Sequence, residues 1–156
     1  MKYWLLKTEP TTYSWEDLKK EKNRTTSWEG IRNYQARNYI RDEMRIGDLA
    51  FLYHSVQKPP SIVGIVEIVK NAYPDHFAYE PGHKYFDPKS KPDNPTWFMV
   101  DIRALHELSE PVSIDELKKI PDLKDLVLLN NTRLSVQPVQ RAEWDLIIKM
   151  KTIKSL

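Results

Sequence analysis

The sequence predicts an α+β domain built on a curled sheet, and three observations carry that prediction. Apolar runs too short for helices recur at residues 3–7, 49–54 and 61–70, as expected of buried strands. Between and after them stand helix starts whose cap residues and acidic first turns are legible. Gly64 lies inside the longest β-type run, where a bulge or a close backbone approach lets a sheet bend toward a barrel. With 156 residues, 40% of them hydrophobic, the chain is expected to form one domain with a substantial core.

Taken in order, residues 3–7 are aromatic and apolar and are stopped by Pro10, which predicts a buried opening strand. Ser14 followed by Trp15, Glu16 and Asp17 starts a helix that should run to Lys20, with Trp15 in the core. A polar connector over 23–26 leads to a segment in which Gly30 opens backbone conformations closed to other residues. Residues 27–30 are therefore expected as a loop and 31–42 as a helix. Arg45-Ile46-Gly47-Asp48 is a turn. Leu49–His54 carries no polar residue until its end, the pattern of a strand covered on both faces. Lys58-Pro59-Pro60 breaks the chain before the 61–70 strand.

Prolines at 74, 81, 88, 92 and 95 exclude regular structure from 73–95. The aromatics Phe77, Tyr79, Tyr85 and Phe86 argue that this long connection is ordered and forms one wall of a pocket. Residues 97–105 alternate as a strand. Ser113 and Glu116 form a capping box for a short helix that ends before Pro121. Another helix is expected over 123–129 and an extended segment over 134–139. The last helix, 140–150, places Trp144, Ile147 and Ile148 at i, i+3 and i+4 to dock on the core.

The segment Ser27-Trp28-Glu29-Gly30-Ile31-Arg32-Asn33-Tyr34-Gln35-Ala36-Arg37-Asn38 concentrates an exposed-looking tryptophan, a glycine and many hydrogen-bonding side chains. As a helix it shows no clean apolar stripe, because amides and guanidiniums stand where the stripe would continue. Asn33 and Gln35 each offer a donor and an acceptor, the chemistry that reads a nucleobase edge. Trp28 offers a face for a ring to stack on. The alternative is that Trp28 is an ordinary core anchor and the amides cap local backbone. His54 and Ser55 lie where a buried strand emerges, so His54 is read as a general base, as a donor to a ligand, or as a satisfied edge residue.

A formal charge of +2 lacks the dense basic footprint of a protein that wraps long duplex, so a single nucleotide or a short strand fits better. Arg32, Arg37 and Arg41 flank the expected pocket. The absence of cysteine excludes disulfides and thiolate metal sites. His76 and His83 with Asp75 and Asp87 match no metal-ligand spacing, and neither a metal nor a cofactor is expected. The amino-terminal apolar run is too short for a signal segment or a membrane span, which predicts a soluble, intracellular protein with no membrane partner.

Residues 28–38, followed by Gly47-Asp48, Tyr53-His54-Ser55, Ile62-Val63-Gly64, Trp97 and Leu134-Ser135-Val136-Gln137-Pro138-Val139, resemble the EVE domain family over essentially the whole chain. That resemblance implies a PUA-like curled mixed β-barrel of five to six strands with flanking helices. It also implies a pocket that reads a modified base, particularly modified cytosine, in DNA or RNA. The family's functional positions fall on Trp28, Asn33, Tyr34, Gln35, His54 and Ser55, with Trp97 and Ser135 beside them. Ile31 stands where valine is commoner. With Arg32 and Arg37 these make up the expected ligand-binding set, with no catalytic residue. The competing class is a nucleotide- or nucleic-acid-processing hydrolase with His54 as acid or base, assisted by Asp75 or Asp48. Against it, no nucleophile is spaced from a base in a known pattern.

Overall fold

The structure, a computed structural model, describes residues 1–131 and 133–156. It contains seven strands: β1 (Tyr3–Thr8), β2 (Thr25–Ser27), β3 (Leu49–His54), β4 (Ser61–Pro74), β5 (Phe98–Ser113), β6 (Val136–Val139) and β7 (Ile153–Ser155). They form one mixed sheet in the order β2-β5-β4-β3-β1-β6, with β7 also on β5. The sheet curls but does not close among the described residues, and it exceeds the expected five to six strands through the three-residue β2 and β7. Those two escape the sequence because they are short and mostly polar. They are strands only through pairing with β5.

Pairing of β1 with β3 is parallel, whereas the other strand pairs are antiparallel. Side chains alternate between faces along a strand, so each of these central strands feeds two cores. Trp4 and Leu6 of β1 join Ala50 and Leu52 of β3 on one face; Leu5 joins Phe51 and Tyr53 on the other. Helices α1 (Trp15–Lys20) and α2 (Tyr34–Asn38) close the first core with Trp15, Leu18 and Ala36. Helices α3 (Ile114–Lys118), α4 (Val127–Asn130) and α5 (Arg141–Ile148) close the second with Leu117, Leu128, Trp144 and Ile147. Burial on both faces explains why these strands lack polar alternation.

Strands β4 and β5 run on to 14 and 16 residues and pair with four register shifts, each of which adds local twist and bends the ribbon. One shift lies between Ile62 and Gly64. A Cβ at Gly64 would overlap the ring of Trp15, so this glycine serves both the bend and the close approach of α1.

The predicted capping box of Ser113 with Glu116 is present, and the predicted Ser14 cap also proves to be a box, with Asp17 reaching back to the Ser14 N–H. The expected 31–42 helix begins later, at Tyr34, because Asn33 is its cap: Asn33 Oδ1 accepts from the Ala36 N–H at 2.9 Å. From Tyr39 to Glu43 it widens into a π-helical turn, closed by Met44 N–H donating to the Tyr39 carbonyl at 2.9 Å. The 73–95 connection is folded and holds a 3-10 turn, His76–Tyr79. Among the described residues no helix is long and apolar enough to cross a membrane.

Trp144 anchors the second core, stacking on Phe51 at 3.9 Å and on Tyr3 at 4.7 Å between ring centroids. Trp144→Ala should cost about 3–5 kcal/mol of stability in urea denaturation. A loss near 0.5 kcal/mol, the size of a surface change, would show that α5 does not seal the core.

Candidate functional site

A cavity of about 650 Å³ opens at the carboxyl ends of β1 and β3, the parallel pair. Crevices at that end of parallel strands are where ligands bind in open α/β sheets, and the volume lies within the roughly 300–1,000 Å³ range of small-molecule sites. Lys7 and Thr8 enter from the end of β1, and Ser55 and Val56 from the chain just beyond β3. Tyr13 precedes α1, Thr26 and Ser27 belong to β2, and residues 28–31 continue from it. Ser135 comes from the segment before β6, and Lys84 and Tyr85 come from the long connection. Of the aromatics expected to wall a pocket from that connection, Tyr85 lines this cavity and Phe77, Tyr79 and Phe86 do not.

Main-chain bonds fix the rim. Ser55 N–H donates to the Thr8 carbonyl and Lys7 N–H to the Ser135 carbonyl, both at 2.9 Å, and Trp28 N–H donates to the Val100 carbonyl at 2.7 Å. Val56, 78% exposed, holds a φ of 57°. That conformation is an outlier for a β-branched residue, and such strain gathers at ligand sites.

Gly30 has a φ of 84°, and a Cβ there would overlap the Tyr85 ring. Asp75, fully buried, accepts from the Gly30 N–H at 2.9 Å, from the Phe77 N–H at 3.0 Å and from Arg32 Nη1 at 3.0 Å. Arg32 in turn donates to the Tyr85 carbonyl through Nε at 3.2 Å and Nη2 at 2.7 Å. Its guanidinium also lies 5.4 Å from the Trp97 ring centroid and 5.5 Å from that of Tyr85. Arg32 therefore builds the wall from behind.

Of the ten residues singled out in the sequence, Trp28, Ser55 and Ser135 line the cavity. Trp28 is not exposed as its context suggested. It is 7% accessible, packed in the first core with Tyr13 edge-on at 6.2 Å, and presents only part of its ring to the cavity. Tyr34, Arg37 and Trp97 form a separate layered face: Tyr34, 62% exposed, lies 5.0 Å from the buried Trp97 ring, and Arg37 covers Tyr34 at 4.9 Å. Arg32 joins that face to the cavity wall. Asn33 is spent as a helix cap, and Gln35 is exposed on α2 with a 3.5 Å bond from its Nε2 to the Tyr39 hydroxyl.

His54 lies beneath the cavity rather than in it. Its Nε2 accepts the Trp15 N–H at 3.0 Å, so Nδ1 carries the proton and faces Gln57 Oε1 at 3.1 Å. Burial pushes its pKa below the ordinary histidine value, partly offset by Gln57. With both ring nitrogens engaged, His54 is poorly placed as an acid or base. Neither suggested helper attends it: Asp75 holds Gly30, Phe77 and Arg32, and Asp48 accepts from Trp4 Nε1, Lys2 N–H and Arg45 N–H. Sequence reasoning missed Lys7, Thr8, Tyr13, Glu29 and Lys84. The ends of the parallel strands could have pointed to the first two, but their pairing is not written locally.

Residues 2–150 match the EVE domain family. The chain belongs to the EVE domain family. It is 40% identical over 166 residues to human thymocyte nuclear protein 1, covering 96% of this chain and 73% of that protein. The human THYN1 structure in complex with 5-methylcytosine containing DNA superposes with a TM-score of 0.92 at 40% identity, covering 96% and 97% of the two chains. A Pseudomonas syringae protein structure does so with a TM-score of 0.88 at 39% identity, covering 95% and 98%. The fold is PUA-like, and this EVE domain places the 650 Å³ cavity at the ends of its parallel strand pair.

The lowered pKa of His54 makes stability depend on pH. The unfolded chain binds the proton first as pH falls, so the stability due to neutral His54 is full above about 6.5. It declines as pH drops from there through the lower folded value. The difference in unfolding free energy between the wild type and His54→Asn should shrink over that window in denaturant titrations. A difference independent of pH would mean that His54 is not held neutral.

Proposed function

We propose that this EVE domain is a nucleic-acid reader that takes a modified cytosine of DNA or RNA into the cavity and does no chemistry on it. The observation that carries this is the cavity itself, with Tyr13, Trp28 and Tyr85 rings among hydroxyls, Lys7 and Glu29. Its size and mixed lining fit a base with its sugar. The bound 5-methylcytosine DNA in the human THYN1 structure supports the reading. Ser135 offers a hydroxyl to the base and Ser55, whose hydroxyl donates to the Thr8 carbonyl at 3.3 Å, offers an acceptor oxygen, and the Tyr34, Arg37 and Trp97 face receives the flanking strand. We place the protein inside the cell, in keeping with the nuclear name of its relative.

A hydrolase is not favoured, because His54 is engaged at both ring nitrogens. A reader needs only to recover the few kcal/mol that extruding a base costs, and stacking returns about 1–3 kcal/mol per base.

Binding of otherwise identical oligonucleotides carrying cytosine or 5-methylcytosine tests the reading: the methylated strand should bind more tightly and be recovered unchanged. Tyr85→Ala should weaken that binding by about 1–3 kcal/mol. Equal binding of both strands, or appearance of a new product, would overturn the proposal.

Salt dependence is a second check. Arg32 is occupied by Asp75 and Tyr85, and Arg37 and Arg41 bond Thr96, Asn38 and Asp42, which leaves Lys84 and the remaining N–H groups of those two guanidiniums for phosphates. Two or three contacts give a slope of log affinity against log salt between about −1.5 and −3. A slope steeper than about −5 would mean that the protein tracks backbone over many nucleotides.

A further inference from the structure

Glu29 lines the cavity but has no part in building it. Ser27 Oγ donates to its Oε2 at 2.7 Å, which fixes the side-chain rotamer, and among the described residues no hydrogen bond or ion pair reaches Oε1. Glu9, the other carboxylate on the cavity, is exposed and lacks such a tether. An ionised carboxylate can only accept hydrogen bonds, so Glu29 presents a fixed acceptor to whatever enters.

We propose that the Glu29 carboxylate reads the exocyclic amine of the bound base and so selects 5-methylcytosine over thymine. The inference rests on the cavity being the base site. The two bases share the ring and the 5-methyl group, but cytosine carries an N4 amine donor where thymine carries the O4 acceptor. Facing Glu29, the amine gains a charge-assisted hydrogen bond. A thymine O4 in its place sets two acceptors against each other and strips water from the carboxylate without replacing it. The 5-methyl group cannot make this distinction, because both bases have it.

The test measures full-length protein binding to two identical single strands that differ only in 5-methylcytosine or thymine at one position. The wild type should favour 5-methylcytosine by roughly ten- to a hundredfold, the ratio expected of one hydrogen bond to a charged group. Glu29→Gln, whose amide can donate to O4, should collapse that ratio, chiefly by weakening the 5-methylcytosine strand. If Glu29→Gln does not fold, Ser27→Ala releases the carboxylate without removing it and should lower the ratio. Equal wild-type affinity for the two strands, or a ratio unchanged in the folded variant, overturns the inference while leaving the reader standing. Failure of the wild type to bind either strand removes the base-reading function itself.

Discussion

The cavity depends on the buried carboxylate of Asp75. An ion removed from water costs several kcal/mol unless its lone pairs are met, and here they are met by Gly30 N–H, Phe77 N–H and Arg32. Each partner belongs to a wall. Gly30 fixes the segment after β2, Phe77 opens the 3-10 turn of the long connection, and Arg32 reaches back to hold Tyr85 by its carbonyl. The Tyr85 ring then packs where only a glycine leaves room, at Gly30. Asp75 N–H donates to the Trp97 carbonyl at 2.9 Å, so the far end of the connection joins the same circuit. Two stretches with little regular structure of their own are thereby tied to one buried carboxylate, the kind of support a site requires of its walls.

The sheet provides the other half of the frame. Because β1 and β3 are parallel and buried on both faces, their carboxyl ends are pinned on every side, and Thr8 and Ser55 emerge from them in fixed register. His54, the last residue of β3, bonds to the N–H of Trp15 at the start of α1. Trp15 in turn lies on Gly64 and donates through Nε1 to Glu107 at 3.0 Å. A histidine that looked functional by its position thus acts as a brace between strand and helix. Its influence on the cavity passes through the adjoining Ser55.

Features with a local physical cause were legible in the sequence. The continuous apolar runs of β1 and β3, the Ser14 cap, the Ser113 capping box, and the spacing of Trp144 and Ile147 each owe little to distant residues, and each gives the observed element. What was not legible depends on distant partners. Thr25-Thr26-Ser27 becomes a strand only against Asp101–Arg103 of β5. Tertiary context also decides the candidate site: Trp28 lines the cavity but is held mostly in the core. Asn33 was read as a base-edge amide, yet its position one residue before a helix is equally the signature of a cap. Composition cannot separate two uses of the same hydrogen-bonding group; only the partner does.

The same accounting bears on where affinity and selectivity reside. The segment from Arg32 to Arg45 contains four arginines, a density that suggests a phosphate-binding surface. Yet Arg32 bonds to Asp75 and Tyr85, Arg37 to Thr96 and Asn38, Arg41 to Asp42, and Arg45 to the Met44 and Asp42 carbonyls. Most of this positive charge is committed within the fold, in line with a net charge of only +2. On the proposed reading, recognition then falls to the cavity. A methyl group gains only about 0.8 kcal/mol on burial, roughly a fourfold preference, so apolar contact alone is a weak discriminator of a modified base. Stronger selection requires polar groups that the wrong base leaves unpaired. Thr8 Oγ1 already donates to the Tyr13 carbonyl and Ser55 Oγ to the Thr8 carbonyl, so the group on the cavity best fitted to this is the glutamate tethered by its neighbour.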